Sequence, residues 1–192
     1  MKEKIAKDIQ DSITVKQALL KETPALIEKA THTVFESLKS GHKVLFFGNG
    51  GSAADSQHLA AELVGRYEKE RRGLAAIALT TDTSILTALG NDYGYEKVFE
   101  RQIEALGQKG DVAVGLSTSG CSKNIVAAIK KAKSLGLKTI GFLGRDGGDL
   151  KNLVDLAILV PSQKTSRIQE SHILIGHILC ERLDELLEQE SR

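Results

Sequence analysis

Five short apolar runs, each separated from the next by a segment of helical pattern, leave this chain very few architectures. They cover residues 43–47, 75–79, 112–116, 138–143 and 157–160. Runs of this length, rich in Val, Ile, Leu and Phe and closed by Gly, Ser, Thr or Pro, read as strands buried on both faces. Strands that alternate with helices imply a parallel sheet covered on both sides. The expected fold is therefore α/β: one domain, a parallel sheet flanked by helices on both faces, an N-terminal helical extension and a long C-terminal helix over about 166–190. The extension occupies residues 1–41, with a charged helix (apolar points Ile5, Ile9, Ile13 and Leu20), then a second helix opened by Thr23-Pro24 and closed by Gly41. Residues 42–192 form the domain proper. A chain of 192 residues, 41% hydrophobic, can bury one such core and is short for two.

Composition removes several functions. A net charge of +1 gives no global field to attract nucleic acid, and 4% aromatics is too few for base-stacking platforms. Two cysteines, Cys121 and Cys180, make no disulfide framework and fit a reducing compartment. No apolar run approaches the ~20 residues of a membrane span, and the first residues carry no apolar leader. A cytoplasmic protein without nucleic-acid or membrane partners is the expectation.

Gly48-Asn49-Gly50-Gly51-Ser52 follows the first strand and opens a helix. A glycine-rich strand-to-helix turn aims backbone N–H groups and a positive dipole end at a bound anion. Gly48-x-Gly50-x-x-Ala53 also matches a relaxed dinucleotide fingerprint. The acidic residue needed about 20 positions on has no good candidate at a strand end, with Glu68 and Glu70 in a charged run and Asp82 too late. A purely structural tight turn accounts for the glycines but leaves Asn49 unexplained. The third strand ends in Ser117-Thr118-Ser119-Gly120-Cys121-Ser122. Its four hydroxyls are more than helix capping needs, and they suit a phosphate.

On the first of these helices His58, Glu62 and Arg66 come at four-residue steps, which on a continuing helix would project together. His and Glu at i, i+4 can share a zinc ion or divide acid–base work. Ser52-x-x-Asp55 is expected as a capping box there, and Ser166-x-x-Gln169 as another on the last helix. His172 and His177 lie on that last helix in a largely apolar run, where a histidine is ordinarily a core or interface residue; the stripe Leu179, Leu183, Leu186, Leu187 reads the same way. The mixed-sign run 66–72 reads as a solvated loop from which only Arg66 is a substrate candidate. Asn91-Asp92-Tyr93-Gly94 fits a turn, Cys180 fits packing, and Cys121 stands at a helix start with no adjacent base.

Four separated motifs now stand in register: GNGGSAADSQHLAAELVGR (48–66), LTALGNDYGYEKVFERQIEALG (86–107), STSGCS (117–122) and RIQESHILIGH (167–177). Together they resemble the phosphoheptose isomerases, members of the sugar isomerase (SIS) fold family, over nearly the whole chain. The resemblance implies aldose–ketose isomerisation of sedoheptulose 7-phosphate to D-glycero-D-manno-heptose 7-phosphate, supplying heptose for lipopolysaccharide core or related glycans. It implies one zinc ion per subunit at His58, Glu62, Gln169 and His177, with Glu62 and His177 catalytic. It also implies substrate contacts from Asn49, Gly50, Gly51, Ser52, Glu62, Arg66, Asn91, Asp92, Ser117, Thr118, Ser119, Ser122 and Gln169. A homotetramer with active sites at subunit interfaces is further implied. The family contains a non-catalytic branch that binds a replication initiator and lacks the counterparts of Glu62 and His177; both are present here. A sugar-phosphate sensor is the remaining alternative.

Overall fold

A computed structural model describes residues 1–190. Two helices come first, α1 (Lys2–Leu19) and α2 (Thr23–Lys39), followed by β1 (Val44–Gly48), α3 (Gly51–Val64) and β2 (Ala76–Ala78). Then come α4 (Thr83–Tyr93), α5 (Val98–Leu106), β3 (Val112–Ser117), α6 (Lys123–Ser134), β4 (Lys138–Gly144), β5 (Leu156–Val160) and α7 (Thr165–Glu190). The five strands pair in parallel in the order β2-β1-β3-β4-β5. This is the doubly wound order 2-1-3-4-5, whose strand order reverses between β1 and β3.

Side-chain alternation along the strands builds two cores. Val44 and Phe46 of β1, with Val112, Val114, Ile140 and Phe142, face α2, α3 and α7. Leu45, Phe47, Ala113 and Leu143 face α5 and α6 on the other side. Since β1 and β3 are buried along their whole length, they carry no polar face and read in sequence as continuous apolar runs. α1 remains peripheral: Ile5, Ile9 and Ile13 are 55%, 59% and 44% exposed, while Ser12 donates to Glu170 of α7 at 2.7 Å.

Several helix starts differ from expectation. α3 begins at Gly51 with Gly50 as N-cap and no side-chain cap, so the Ser52/Asp55 capping box does not form. Gly50 holds φ +58°, which points the chain into the helix two residues before a serine cap would. Ser52 is instead buried, its carbonyl accepting from Ser56 Oγ at 2.8 Å. α2 starts at Thr23 rather than after it. Asp82, by contrast, caps α4 by accepting from the Ile85 amide at 2.9 Å.

Candidate active site

α3 and α7 lie side by side and run in the same direction. Gly51 faces Gln169, Leu59 faces Gly176, and His58 faces His177. Gly176 permits this close approach: a Cβ there would sit 2.4 Å from Leu59 Cδ2. The pairing carries the two helices' polar side chains to the same level. His58 Nε2 and His177 Nε2 are 2.9 Å apart, and Glu62 Oε1 is 3.2 Å from His58 Nε2. One ligand-type atom from each of the three residues lies within 4.8 Å of the others.

The His58–Glu62 spacing on α3 is thus realised, and His177 joins it from 119 residues away. Two imidazole nitrogens and a carboxylate oxygen facing one another are all lone-pair donors unless a proton or cation lies between them. A His2Glu set is a donor combination that zinc takes, so these residues fit the ion that the resemblance implies. Tyr67 packs its ring against His177, centroids 5.7 Å apart.

Arg66 does not follow in phase. α3 ends at Val64, Gly65 breaks the helix, and the exposed Arg66 guanidinium lies 3.7 Å from Glu70. Its neighbour Arg71, expected in a solvated run, is the buried member: its side chain is 9% exposed and its Nε donates to Asp184 of α7 at 2.5 Å. Arg71 also donates to the carbonyls of Glu62 (2.9 Å) and Leu63 (3.0 Å), closing the C-terminal end of α3. Asp184 Oδ2 accepts from the Glu68 and Lys69 amides, both at 3.3 Å. The signal in sequence was faint: an Asp among leucines on the last helix.

Gln169 forms no capping box. Its amide covers Gly51, where a Cβ would meet Nε2 at 2.5 Å. α7 is continuous from Thr165, so Gln169 stands two turns before His177, at the level of the glycine turn rather than the His–Glu cluster. The serine turn is ordered by its own hydroxyls. Ser117 Oγ accepts from the Gly120 amide (3.1 Å) and contacts Ser122 Oγ (3.2 Å), while Ser119 Oγ accepts from the Cys121 amide (3.2 Å). Ser122 is the α6 N-cap but makes no side-chain cap bond, so capping does not explain these residues. Both turns end neighbouring strands at the crevice between β1 and β3, where ligands bind in such sheets.

Asn91 and Asp92 are exposed at the end of α4, a helical end rather than a bare turn, with Asn91 Nδ2 donating to Asp92 Oδ1 at 2.8 Å. Cys121 is exposed and Cys180 buried, the latter's thiol pushed up to about 12, chiefly by burial. His172, the other histidine of α7, is fully buried against Phe142.

The SIS domain family model matches residues 9–144. The chain is 55% identical to the phosphoheptose isomerase of Aquifex aeolicus over 187 residues, 97% of this chain and 98% of that one. Against the phosphoheptose isomerase of Geotalea daltonii it is 54% identical over 192 residues, 100% of both chains. The chain belongs to the phosphoheptose isomerase family. The solved phosphoheptose isomerase of Neisseria gonorrhoeae superposes with a TM-score of 0.92 at 44% identity, covering 96% of this chain and 98% of that one. The chain is accordingly an enzyme, an isomerase of the SIS fold, with a helical extension and a long last helix.

Proposed function

We propose that this enzyme interconverts sedoheptulose 7-phosphate and D-glycero-D-manno-heptose 7-phosphate through an enediol(ate), with Glu62 and His177 as its acid–base pair. The observation that carries the assignment is the convergence of His58, Glu62 and His177 from two helices onto one point. The reaction moves a proton between C1 and C2 and a second proton between their oxygens, so it needs a base at carbon and a proton carrier at oxygen. Glu62 Oε1 faces His58, which assigns the carbon proton to Oε2. His177 serves the two oxygens, its ring held by Tyr67. Zinc, held by His58, Glu62 and His177, would supply Lewis-acid polarisation of the carbonyl, and ligand and acid–base roles would then alternate between states. Gln169 can complete that set only by swinging its amide away from Gly51; where it stands, it serves the sugar.

The phosphate belongs at the crevice between β1 and β3, held by Ser117, Thr118, Ser119 and Ser122 and by the backbone of Gly50, Gly51 and Ser52. Arg66, Asn91 and Asp92 are assigned to substrate from the family pattern. A homotetramer with sites closed between subunits is supported by surface left open in one chain. The His58 side chain is 47% exposed, α4 buries no residue, and the isoleucines of α1 face outward. No helix among the described residues is long and apolar enough to cross a membrane. A cytoplasmic enzyme feeding heptose into lipopolysaccharide or a related glycan fits these features, and the initiator-binding alternative finds no support in the relatives.

Glu62→Gln tests the assignment. Turnover is expected to fall at least about a thousandfold while the substrate still binds. Near-normal turnover in that variant would remove Glu62 from the chemistry.

A further inference from the structure

Asn49 and Asn124 form a closed amide pair across the mouth of the crevice. Asn49 Nδ2 donates to Asn124 Oδ1 at 2.9 Å, and Asn124 Nδ2 donates back to Asn49 Oδ1 at 2.8 Å. Asn49 belongs to the glycine turn after β1, and Asn124 to the first turn of α6 after the serine turn. The two following helices diverge: α3 packs on one face of the sheet and α6 on the other. A crevice opened by diverging helices has no backbone ladder across it, and the amide pair supplies a link.

The pair is well supported. Asn124 is 5% exposed, and its Oδ1 also accepts from the Ile125 amide at 3.0 Å. Asn49 Oδ1 also accepts from the Tyr95 hydroxyl at 3.3 Å. Two donors at each carbonyl oxygen fill its lone pairs. The Asn49 carbonyl oxygen is therefore taken up by protein contacts, a role that a glycine turn alone leaves unexplained.

We propose that Asn124 is a positioning residue of the phosphosugar site: by pairing with Asn49 it sets the separation of the glycine and serine turns that grip the phosphorylated end of the substrate. This rests on the placement of the phosphate proposed above. The phosphorylated end is remote from the reacting carbons, so loss of the pair is expected chiefly as weaker binding.

The test is steady-state kinetics on Asn124→Ala, Asn49→Ala and the double variant, with inorganic phosphate binding measured by calorimetry. Loss of two neutral hydrogen bonds is expected to raise KM about tenfold or more in Asn124→Ala with kcat within about threefold. The double variant should be no worse than Asn49→Ala, because the two residues act as one unit. Asn124→Asp, which turns a carboxylate oxygen toward Asn49 Oδ1 and adds negative charge beside the phosphate, should raise KM at least as much as Asn124→Ala, and Tyr95→Phe should raise KM modestly without touching the core. A KM within about twofold of wild type in Asn124→Ala would overturn the proposal, as would multiplying losses in the double variant. A loss confined to kcat would mark a merely structural role and also overturn it. If Asn124→Ala does not fold, unchanged KM in both Asn124→Asp and Tyr95→Phe refutes the pair. If wild type turns over no heptose phosphate, the functional reading fails by itself; weaker inorganic phosphate binding in Asn124→Ala still decides the pair.

Discussion

Asp184→Ala should be among the most damaging single substitutions in this chain outside the His58, Glu62 and His177 cluster. The Asp184 side chain is 2% exposed and Arg71 9%, so neither charge is relieved by water. Asp184 receives the Arg71 guanidinium at 2.5 Å and the Glu68 and Lys69 amides, both at 3.3 Å. Removing the carboxylate leaves the guanidinium charge without its counter-ion, although its bonds to the Glu62 and Leu63 carbonyls remain, and frees two amides. Breaking a buried pair in this way costs about 3–5 kcal/mol. For a domain of this size that corresponds to a fall in Tm of roughly 6–20 °C. Differential scanning calorimetry at one fixed protein concentration measures it, since the Tm of any protein that assembles depends on concentration. The companion variant Arg71→Met/Asp184→Leu removes both charges and should recover most of the loss. A Tm within about 2 °C of wild type in Asp184→Ala, or a double variant no better than the single, would refute the reasoning.

Acid should expose His172. Burial holds its pKa down to about 4, with the Leu143 carbonyl only partly opposing, and neither ring nitrogen has a hydrogen bond of good geometry. The unfolded imidazole protonates near 6.5 and the folded one only near 4. Stability is therefore full above about pH 6.5 and falls by about 3 kcal/mol on descending to pH 4. Urea unfolding of wild type and His172→Leu at pH 7.5 and 4.5 checks this, and equal pH dependence in the two would refute it. Cys180, with its thiol near 12 and buried, should resist a thiol-specific reagent in the native protein and react on denaturation. Native labelling of Cys180, read by mass spectrometry, would contradict that burial.

What the sequence could disclose followed the range of the interactions. The strands were legible because burial on both faces makes each run apolar throughout, as in Val44–Gly48. His58 and Glu62 were legible because four residues on a helix make neighbours, and His172 fitted a core position, as found. Arg71 was not, because its partner lies 113 residues away and a charged run looks alike whether solvated or buried. Asn124 was missed for the same reason, its partner lying 75 residues away. Arg66 was misplaced by extending a four-residue rhythm past Gly65, where the helix has ended. The capping boxes failed because a glycine at φ +58° and a close helix–helix contact claimed Ser52 and Gln169 first. Local patterns name candidates; only the packing of α3 against α7 selects among them.

Proton transfer through an enediol(ate) at the His58, Glu62 and His177 cluster is the chemistry proposed for this enzyme. Incubating the metal-replete protein with sedoheptulose 7-phosphate in D2O, and following the carbon-bound protons by NMR, tests it most directly. An aldoheptose phosphate carrying deuterium at C2 is expected, with loss of both product and exchange in Glu62→Gln. Product formed without any deuterium at that carbon, or substrate bound with neither exchange nor product, would contradict it.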